Sequence, residues 1–276
     1  MEIEEAVIAA AKKLGWRLKA RHCHCLARDL FFVLVGVRPL VMIDYLPYSA
    51  NLLQLLTSLV NSVCEAFKGW RLMSMDESMI YFLHAANLEE YMESSLGDES
   101  WLSFIILDDG PARMATQLEE QSVKATLKRL QARLSQSLAE ESRECSLIDF
   151  NHGLSELDIS IPTCNGYSRR WLLGYPVIYV FSKDKASQAS RCLSSVHLCL
   201  YKLLLLNPEK VLAWRPHEPV EEILSFTIPE SNGFSQQWTP DAFMSYIATK
   251  VSQCSKIDPG DLRLDVTSRP LQSVAF

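Results

Sequence analysis

Apolar residues recur at helical spacing in several parts of the chain, where they line one side of a 3.6-residue period. The predicted helices cover residues 3–14, 52–63, 88–94, 116–142, 185–192 and 239–254. Two of them carry start signals in the sequence. Thr116 followed by Glu119 forms a capping box, and Pro240 suits the first helical position because its missing N–H is not needed there.

Shorter apolar or alternating runs predict strands between these helices. They cover residues 30–35, 40–45, 71–75, 78–85, 101–107, 157–161, 172–181, 196–206 and 223–228, with a helix as the alternative for 196–206. The tail from Asp258 is predicted to be irregular. Helices and strands alternate in the first half, and strands cluster in the second. This order predicts an α/β or α+β fold in which helices flank a mixed, largely buried β-sheet.

Length and composition are those of a globular protein. The chain has 276 residues, of which 48% are hydrophobic and 22% are charged, which excludes a disordered chain. We expect one compact domain over residues 1–276, or two tightly packed halves at about 1–145 and 146–276. The net charge is −6, and no long run of Lys and Arg occurs, which disfavours nucleic acid as a partner.

The sequence predicts an intracellular location. It begins with acidic residues where a secretory signal is basic, and its longest apolar run, residues 30–43, is too short for a bilayer and contains Arg38 and Pro39. It contains no Asn-x-Ser/Thr acceptor for glycosylation, and its eight cysteines are scattered. These features predict reduced thiols in the cytoplasm, with the nucleus as an alternative, and no transmembrane segment.

Histidine and cysteine occur together in two places. His22, Cys23, His24 and Cys25 alternate, so an extended segment would place the histidines on one face and the thiols on the other. Zinc sites draw ligand pairs from two separated segments, and no second pair is present, which favours a strand edge with buried thiols over a metal site. Cys192 and Cys199 near His197 could form a nucleophile and base, but buried free cysteine is the commoner case.

Carboxylates follow two of the predicted buried strands. Asp44 follows residues 40–43, and Asp108 and Asp109 follow residues 101–107. In open α/β sheets this edge binds ligands, and carboxylates there hold Mg²⁺ together with substrate phosphate. The alternative is turn chemistry, because Asp109 is followed by Gly110 and Pro111. Asp44, Asp108 and Asp109 are therefore the candidate ligand-binding residues.

Local catalytic motifs do not decide the function. The sequence contains no GxGxxG, GxxxxGK[ST], GxSxG or HExxH motif. The favoured hypothesis is a non-catalytic binding or interaction protein with a protein as a candidate partner. The alternative is a small-molecule enzyme that uses carboxylates at the sheet edge with Mg²⁺ and a phosphate-bearing ligand. The sequence identifies no cofactor.

Two segments resemble an animal protein family of unknown function, the chromosome 1 open reading frame 74 protein family. The first runs from Gly36-Val37-Arg38-Pro39 to Ile43-Asp44-Tyr45 with the leucine-rich helix after it, and the second is Leu173-Gly174-Tyr175-Pro176-Val177-Ile178-Tyr179. The resemblance implies one domain-length unit. It implies no activity, cofactor or site residue, because none is assigned to that family.

Overall fold

The structure is a computed structural model of the whole chain. The residues described below are 3–46, 51–63, 69–76, 79–97, 100–107, 110–139, 146–149, 167–210, 220–230, 234, 238–254 and 257–269. The predicted strand at residues 157–161 therefore lies outside the described residues, as do Asp108 and Asp109.

The described helices agree in most places with the hydrophobic period. They are α1 Ile3–Lys13, α2 Ala20–Leu34, α3 Leu52–Val63, α4 Ala85–Leu96, α5 Gln117–Leu138, α6 Tyr167–Leu172, α7 Ala186–Ser194 and α8 Pro240–Ser252. The capping box of α5 is confirmed, because Thr116 accepts from the backbone N–H of Glu119 while Glu119 accepts from that of Thr116. Pro240 begins α8, as its position predicts.

The described strands form three sheets. They are β1 Leu40–Met42, β2 Trp70–Asp76, β3 Met79–His84, β4 Ser103–Ile106, β5 Arg113–Met114, β6 Ser146–Asp149, β7 Val177–Val180, β8 Leu198–Leu206, β9 Val220–Pro229 and β10 Leu262–Arg269. The sheet orders are β1-β3-β2-β6, β5-β4-β7 and β10-β8-β9. The first two are mixed, since β2–β6 and β4–β7 are parallel pairs. The predicted class, α/β or α+β, is confirmed, with three described sheets in place of one.

The first sheet is buried on both faces. Successive residues of a strand point to opposite sides, and Leu72 and Phe82 pack into one apolar cluster while Met73 and Tyr81 pack into the other. Helices α1 and α3 belong to the smaller cluster. The larger cluster includes residues of α4, α5, α8 and all three sheets. The core is therefore shared by elements that are distant in sequence.

The strand predicted at residues 30–35 is wrong, because these residues lie in and just after helix α2. The helix is packed between the two apolar clusters: Phe31 and Phe32 contribute to the larger, and Leu26, Leu30 and Val33 to the smaller. A helix that is buried on several sides presents a continuous apolar run, which periodicity does not distinguish from a buried strand.

Two further boundaries differ from the sequence prediction. The segment from Leu172 to Pro176 is the end of α6 and a turn, so the predicted strand at 172–181 shortens to β7. The tail predicted to be irregular contains β10, whose alternation of Leu262, Leu264 and Val266 with polar residues is a strand pattern that the sequence did carry.

Among the described residues, no helix is long and apolar enough to cross a membrane.

Candidate functional site

Two loops that are distant in sequence meet beside the C-terminal end of helix α2. Gly36 ends this helix with φ of +72°, and Asn87 of α4 donates from its side-chain amide to the carbonyls of Val33 and Leu34. The other loop is the turn after α6, where Gly174 has φ of +82°. A β-carbon added at Gly174 would lie 2.8 Å from Cδ of Pro39, so the two loops are in close contact.

The turn after α6 is held from the opposite side by α4. The hydroxyl of Tyr91 donates to the carbonyl oxygen of Trp171 over 2.6 Å, and the indole Nε1 of Trp171 donates to Oγ of Ser95 over 2.8 Å. All three side chains are buried. Because both ends of this small network are paired, the turn that carries Gly174 and Tyr175 has a fixed position against the loop that carries Arg38.

A buried charge cluster lies on helix α2 close to these loops. Oδ1 of Asp29 accepts from Nε and Nη2 of Arg28 over 3.0 and 2.8 Å, and Oδ2 accepts from the hydroxyl of Tyr45 over 2.8 Å. Arg28 also pairs through Nη1 with Oε1 of Glu221 on β9, 3.4 Å away. Both carboxylates are buried, with Asp29 5% and Glu221 6% exposed. The cluster joins α2, the loop after β1, and β9.

The pKa shifts reflect a balance between burial and pairing. Burial raises the pKa of Asp29, and the neighbouring Arg28 and Tyr45 only partly offset it. Burial also opposes the charge on Arg28, but Asp29 and then Glu221 outweigh burial and raise the pKa of Arg28. Burial, and then Asp29, raises the pKa of Tyr45 well above its usual value, so its hydroxyl remains a donor. The polar groups of this cluster thus form hydrogen bonds and ion pairs with one another.

The environment of Arg38 differs from that of Arg28. Its Nη1 donates to the backbone carbonyl of Ile223 over 2.8 Å, while its buried Nε has no hydrogen-bond acceptor among the described residues. Burial lowers the pKa of Arg38, and the interactions with Tyr175 and then Asp29, which raise this pKa, do not compensate. The guanidinium has therefore lost hydration at Nε, and no described carboxylate forms an ion pair with it.

Arg170 adds positive charge on the side of Tyr175. Its Cζ lies 5.9 Å from the ring centroid of Tyr175 and 5.0 Å from that of Tyr179. Tyr175 interacts electrostatically with both Arg38 and Arg170. The hydroxyl of Tyr179 is already engaged, because it donates to the carbonyl of Thr227 over 2.7 Å. Arg38 and Arg170 therefore share Tyr175 as a neighbour, and guanidinium groups suit the binding of an anion.

Chemically, this arrangement provides recognition more readily than acid–base catalysis. Both oxygens of Asp29 are occupied by donors, and Tyr45 uses its hydroxyl on Asp29, so neither is a free base beside Arg38. Arginine remains protonated near neutral pH, so it does not act as a general base. Nε of Arg38 has no acceptor among the described residues, and the planar geometry of a guanidinium matches a carboxylate or phosphate.

Of the carboxylates predicted from strand ends, Asp44 is described, and it makes none of the hydrogen bonds of this cluster. Asp44 is exposed, although the adjacent Tyr45 enters the cluster. The strands that precede Asp44 and Asp108 lie in different sheets, so they are not the parallel neighbours on which the predicted convergence depended. Asp108 and Asp109 lie outside the described residues, and the site formed by all three stays a prediction.

The predicted arrangement of the His22–Cys25 segment is wrong, because it belongs to helix α2 and is not extended. His22, Cys23 and His24 are buried, and Nε2 of His22 accepts from Nε of Arg21 over 3.1 Å. Burial, and then Arg21, lowers the pKa of His22. Among the described residues, no group of three His, Cys, Asp or Glu side chains is placed to hold a metal ion.

The thiol pairs considered from the sequence have other environments. The thiol of Cys192 donates to the carbonyl of Gly110, with the two heavy atoms 3.7 Å apart. Burial, and then Glu230, raises the pKa of Cys199, which favours the unreactive thiol over the thiolate. The five described cysteines, Cys23, Cys25, Cys192, Cys199 and Cys254, form no disulfide.

Sequence reasoning missed the central cluster, although one signal was present. Arg28 and Asp29 interrupt an apolar run from Leu26 to Val33, and a charged pair inside such a run indicates a buried ion pair if the segment is a helix. Because the sequence predicts a strand over residues 30–35, it does not indicate that Arg28 and Asp29 form a buried ion pair. The partner Glu221 is 193 residues away from Arg28, and no local pattern connects them.

The fold and this site define a mixed helix-and-strand protein with a buried ion-pair cluster and, close to it, an arginine whose Nε has no acceptor among the described residues. Residues 8–267 match a family described as a domain of unknown function, DUF4504. Because the match covers most of the chain, the protein belongs to this family. No curated protein and no solved structure matches the chain. Membership of this family assigns no activity, and the enzyme alternative receives no support from it.

Proposed function

We propose that this chain is a non-catalytic binding protein that holds a carboxylate or phosphate group at Arg38. The observation that carries the proposal is the contrast between two arginines. Arg28 has two carboxylate partners, whereas Arg38 has, among the described residues, one neutral carbonyl partner and a buried Nε without an acceptor. An anion would supply the acceptors and the negative charge that Arg38 lacks.

The buried Nε of Arg38 carries a desolvation cost. Leaving a buried donor unsatisfied costs about 1–3 kcal/mol, and more for a charged group. A carboxylate or phosphate that accepts from Nε of Arg38 would remove this cost and add a charge-assisted hydrogen bond, worth about 1.5–3 kcal/mol. Arg170 and the aromatic ring of Tyr175 would reinforce selection for a negative group.

Several wider features belong to the same proposal. Contacts between the residue 36–39 loop and the residue 173–176 turn, and the ion pair between Arg28 and Glu221, support one domain over residues 1–276. A cytoplasmic location, with the nucleus as the alternative, rests on the sequence features alone. The sequence features alone also support the proposal that the family matched by residues 8–267 is the animal family that the two segments in the sequence analysis resemble. The anionic group that is bound could belong to a small molecule or to a protein partner.

The experiment measures thermal unfolding with potassium phosphate, pyrophosphate or citrate as the probe. We expect at least one anion to raise the midpoint of the wild-type protein, because a ligand that binds only the folded state stabilises it. Arg38→Gln should lose this rise, and Arg38→Lys should keep a part of it, since lysine preserves charge without the planar fork. Arg129→Gln is the matched control, because Arg129 is exposed on α5 and distant in sequence from the site.

Two outcomes would overturn the proposal. One is a wild-type protein whose midpoint is unchanged by all three anions beyond the effect of potassium chloride at equal ionic strength. The other is a rise that persists unchanged in Arg38→Gln. A circular dichroism spectrum equal to that of the wild type shows that the variant is folded, so the comparison remains meaningful.

The carboxylate site at Asp44, Asp108 and Asp109 remains a separate prediction with its own test. Titration calorimetry with MgCl₂ should give heat with the wild type that is lost in Asp44→Asn if these groups share a Mg²⁺ ion. Identical traces without binding heat would leave the binding-protein hypothesis in place. This test is independent of Arg38, because Asp44 is exposed and makes no part of the Arg28–Asp29 network.

A further inference from the structure

Strand β10 is a regular edge strand. It pairs with β8 through eight consecutive residue pairs without a register shift, and among the described strands its other edge has no neighbour. Native edge strands are commonly protected by proline, a bulge, short length or inward-pointing charge. Residues 262–269 contain no proline, and the strand has eight residues. Its unpaired backbone groups can therefore accept another strand.

The two faces of β10 differ in character. Leu262, Leu264 and Val266 share the face that packs toward the core, since they oppose the inward residues of β8 in the register. Val266 is nevertheless 51% exposed. Arg263 and Asp265 alternate with them on the outer face, where Nε of Arg263 lies 2.7 Å from Oδ1 of Asp265. An apolar row thus runs beside a row with one positive and one negative charge.

This pattern is self-complementary in one antiparallel register. If two copies pair about a two-fold axis at Leu264, then Arg263 opposes Asp265 of the second copy, and Leu262 opposes Val266. Registers centred on Arg263 or on Asp265 would place like charges directly opposite each other, which is destabilising. A slip by one residue would turn the apolar row of one copy to the outer face of the other.

We propose that two copies of this chain associate through β10, antiparallel about Leu264, so that two β10-β8-β9 sheets become one continuous six-stranded sheet. The two-fold interface brings the same surface of each copy together, as most homodimers do. It would cover the exposed part of Val266 with Leu262 of the second copy. It would also form two Arg263–Asp265 pairs between copies. The inference is independent of the anion site at Arg38.

The experiment uses the full chain and two charge variants, with mass measured by sedimentation velocity over a range of concentrations. Arg263→Asp makes this row entirely acidic, and Asp265→Arg makes it entirely basic. Each variant alone should be monomeric under conditions where the wild type is dimeric, with dimerisation weakened at least about tenfold, because like charges then oppose each other at two places. An equimolar mixture of the two variants should regain the dimer, since opposite charges again face each other.

The mixture makes the test specific to this register. A change in folding would affect each variant in the mixture as it does alone, whereas complementary pairing is restored only when the two variants meet. The proposal is overturned if the wild type is monomeric throughout, or if either variant dimerises as strongly as the wild type. It is also overturned if the mixture stays monomeric while both variants keep the melting temperature of the wild type.

Discussion

The hydroxyl of Tyr45 donates a hydrogen bond to Oδ2 of Asp29 across 2.8 Å, linking the loop after β1 to the middle of helix α2. Asp29 receives its remaining bonds from Arg28, so a carboxylate that burial penalises is fully paired. Buried charges are retained in proteins when their pairing is complete. Among the described residues, Arg38 has no such carboxylate partner, and this difference is the basis for the proposal that Arg38 binds an anion.

Loss of the Asp29 carboxylate should destabilise the protein. Asp29→Ala leaves Arg28 in a largely buried position with Glu221 as its remaining partner among the described residues, and removal of one member of a buried pair costs about 3–5 kcal/mol. We expect a value near the lower limit, because the side chain of Arg28 is 29% exposed. Urea denaturation measures the change. Asp44→Ala is the control, since Asp44 is exposed and should change stability by less than about 0.5 kcal/mol. Equal effects of the two substitutions would contradict this account of the cluster.

The contact between the two loops can be tested at Gly174. Gly174→Ala adds a β-carbon 2.8 Å from Cδ of Pro39 at a position where φ is +82°, so it combines backbone strain with a steric overlap. We expect a loss of about 2–4 kcal/mol, of which roughly 1 kcal/mol is backbone strain. Gly110→Ala isolates the strain, because Gly110 has φ of +90° and no heavy atom within 4 Å of the added carbon. If both variants lost the same stability in urea denaturation, the loops would not be in contact as described.

Helix α5 should depend on its buried leucines. Leu130 and Leu134 are 1% and 0% exposed, and substitution of either by alanine should cost about 2–4 kcal/mol in free energy of unfolding, because a cavity is left in the core. Leu118→Ala in the first turn provides the control, since Leu118 is 78% exposed. Its substitution should change stability by less than about 0.5 kcal/mol. Denaturation midpoints that rank the three variants differently would mean that α5 packs by another face.

The capping box should make stability depend on pH. The side chain of Arg113 and then the backbone and hydroxyl of Thr116 lower the pKa of Glu119 to about 2, from 4.5. Because the folded-state pKa lies below the unfolded one, the contribution of Glu119 is fully present above pH 4.5 and is lost as the pH falls toward about 2. The melting temperature of the wild type should therefore exceed that of Glu119→Gln at neutral pH, and the difference should shrink through this window. A constant difference at every pH would show that the carboxylate charge does not stabilise the cap.

The sequence predicts elements whose signals are local. Helix α5 is identified by its leucine spacing and by Thr116 and Glu119, because both features act within one or two turns. Helix α2 is misassigned over residues 30–35, because its burial between two apolar clusters depends on elements that only the folded chain brings together. Strand β10 could have been found from the alternation of Leu262, Leu264 and Val266.

The candidate site is predictable only in part. The residue 36–39 and 173–176 segments attract attention in the sequence, and the structure brings them into contact through Pro39 and Gly174. The strand-end pattern predicts Asp44 as a ligand-binding residue, whereas the residue that enters the cluster is its neighbour Tyr45. A side chain's partner across 185 residues, such as the carbonyl of Ile223 for Arg38, follows from tertiary packing and has no sequence signature.

The most direct measurement of the central claim observes the Nε–H groups of the two arginines by ¹⁵N–¹H NMR. The Arg38 resonance is assigned by its absence in Arg38→Lys, and Arg28, which already donates from Nε to Asp29, serves as the internal reference. We predict that titration with phosphate moves the Arg38 Nε–H proton downfield, as a new charge-assisted hydrogen bond forms, while the Arg28 resonance stays in place. An Arg38 resonance that remains unchanged at saturating phosphate, or that moves no more than that of Arg28, would contradict the proposal that Arg38 binds an anion.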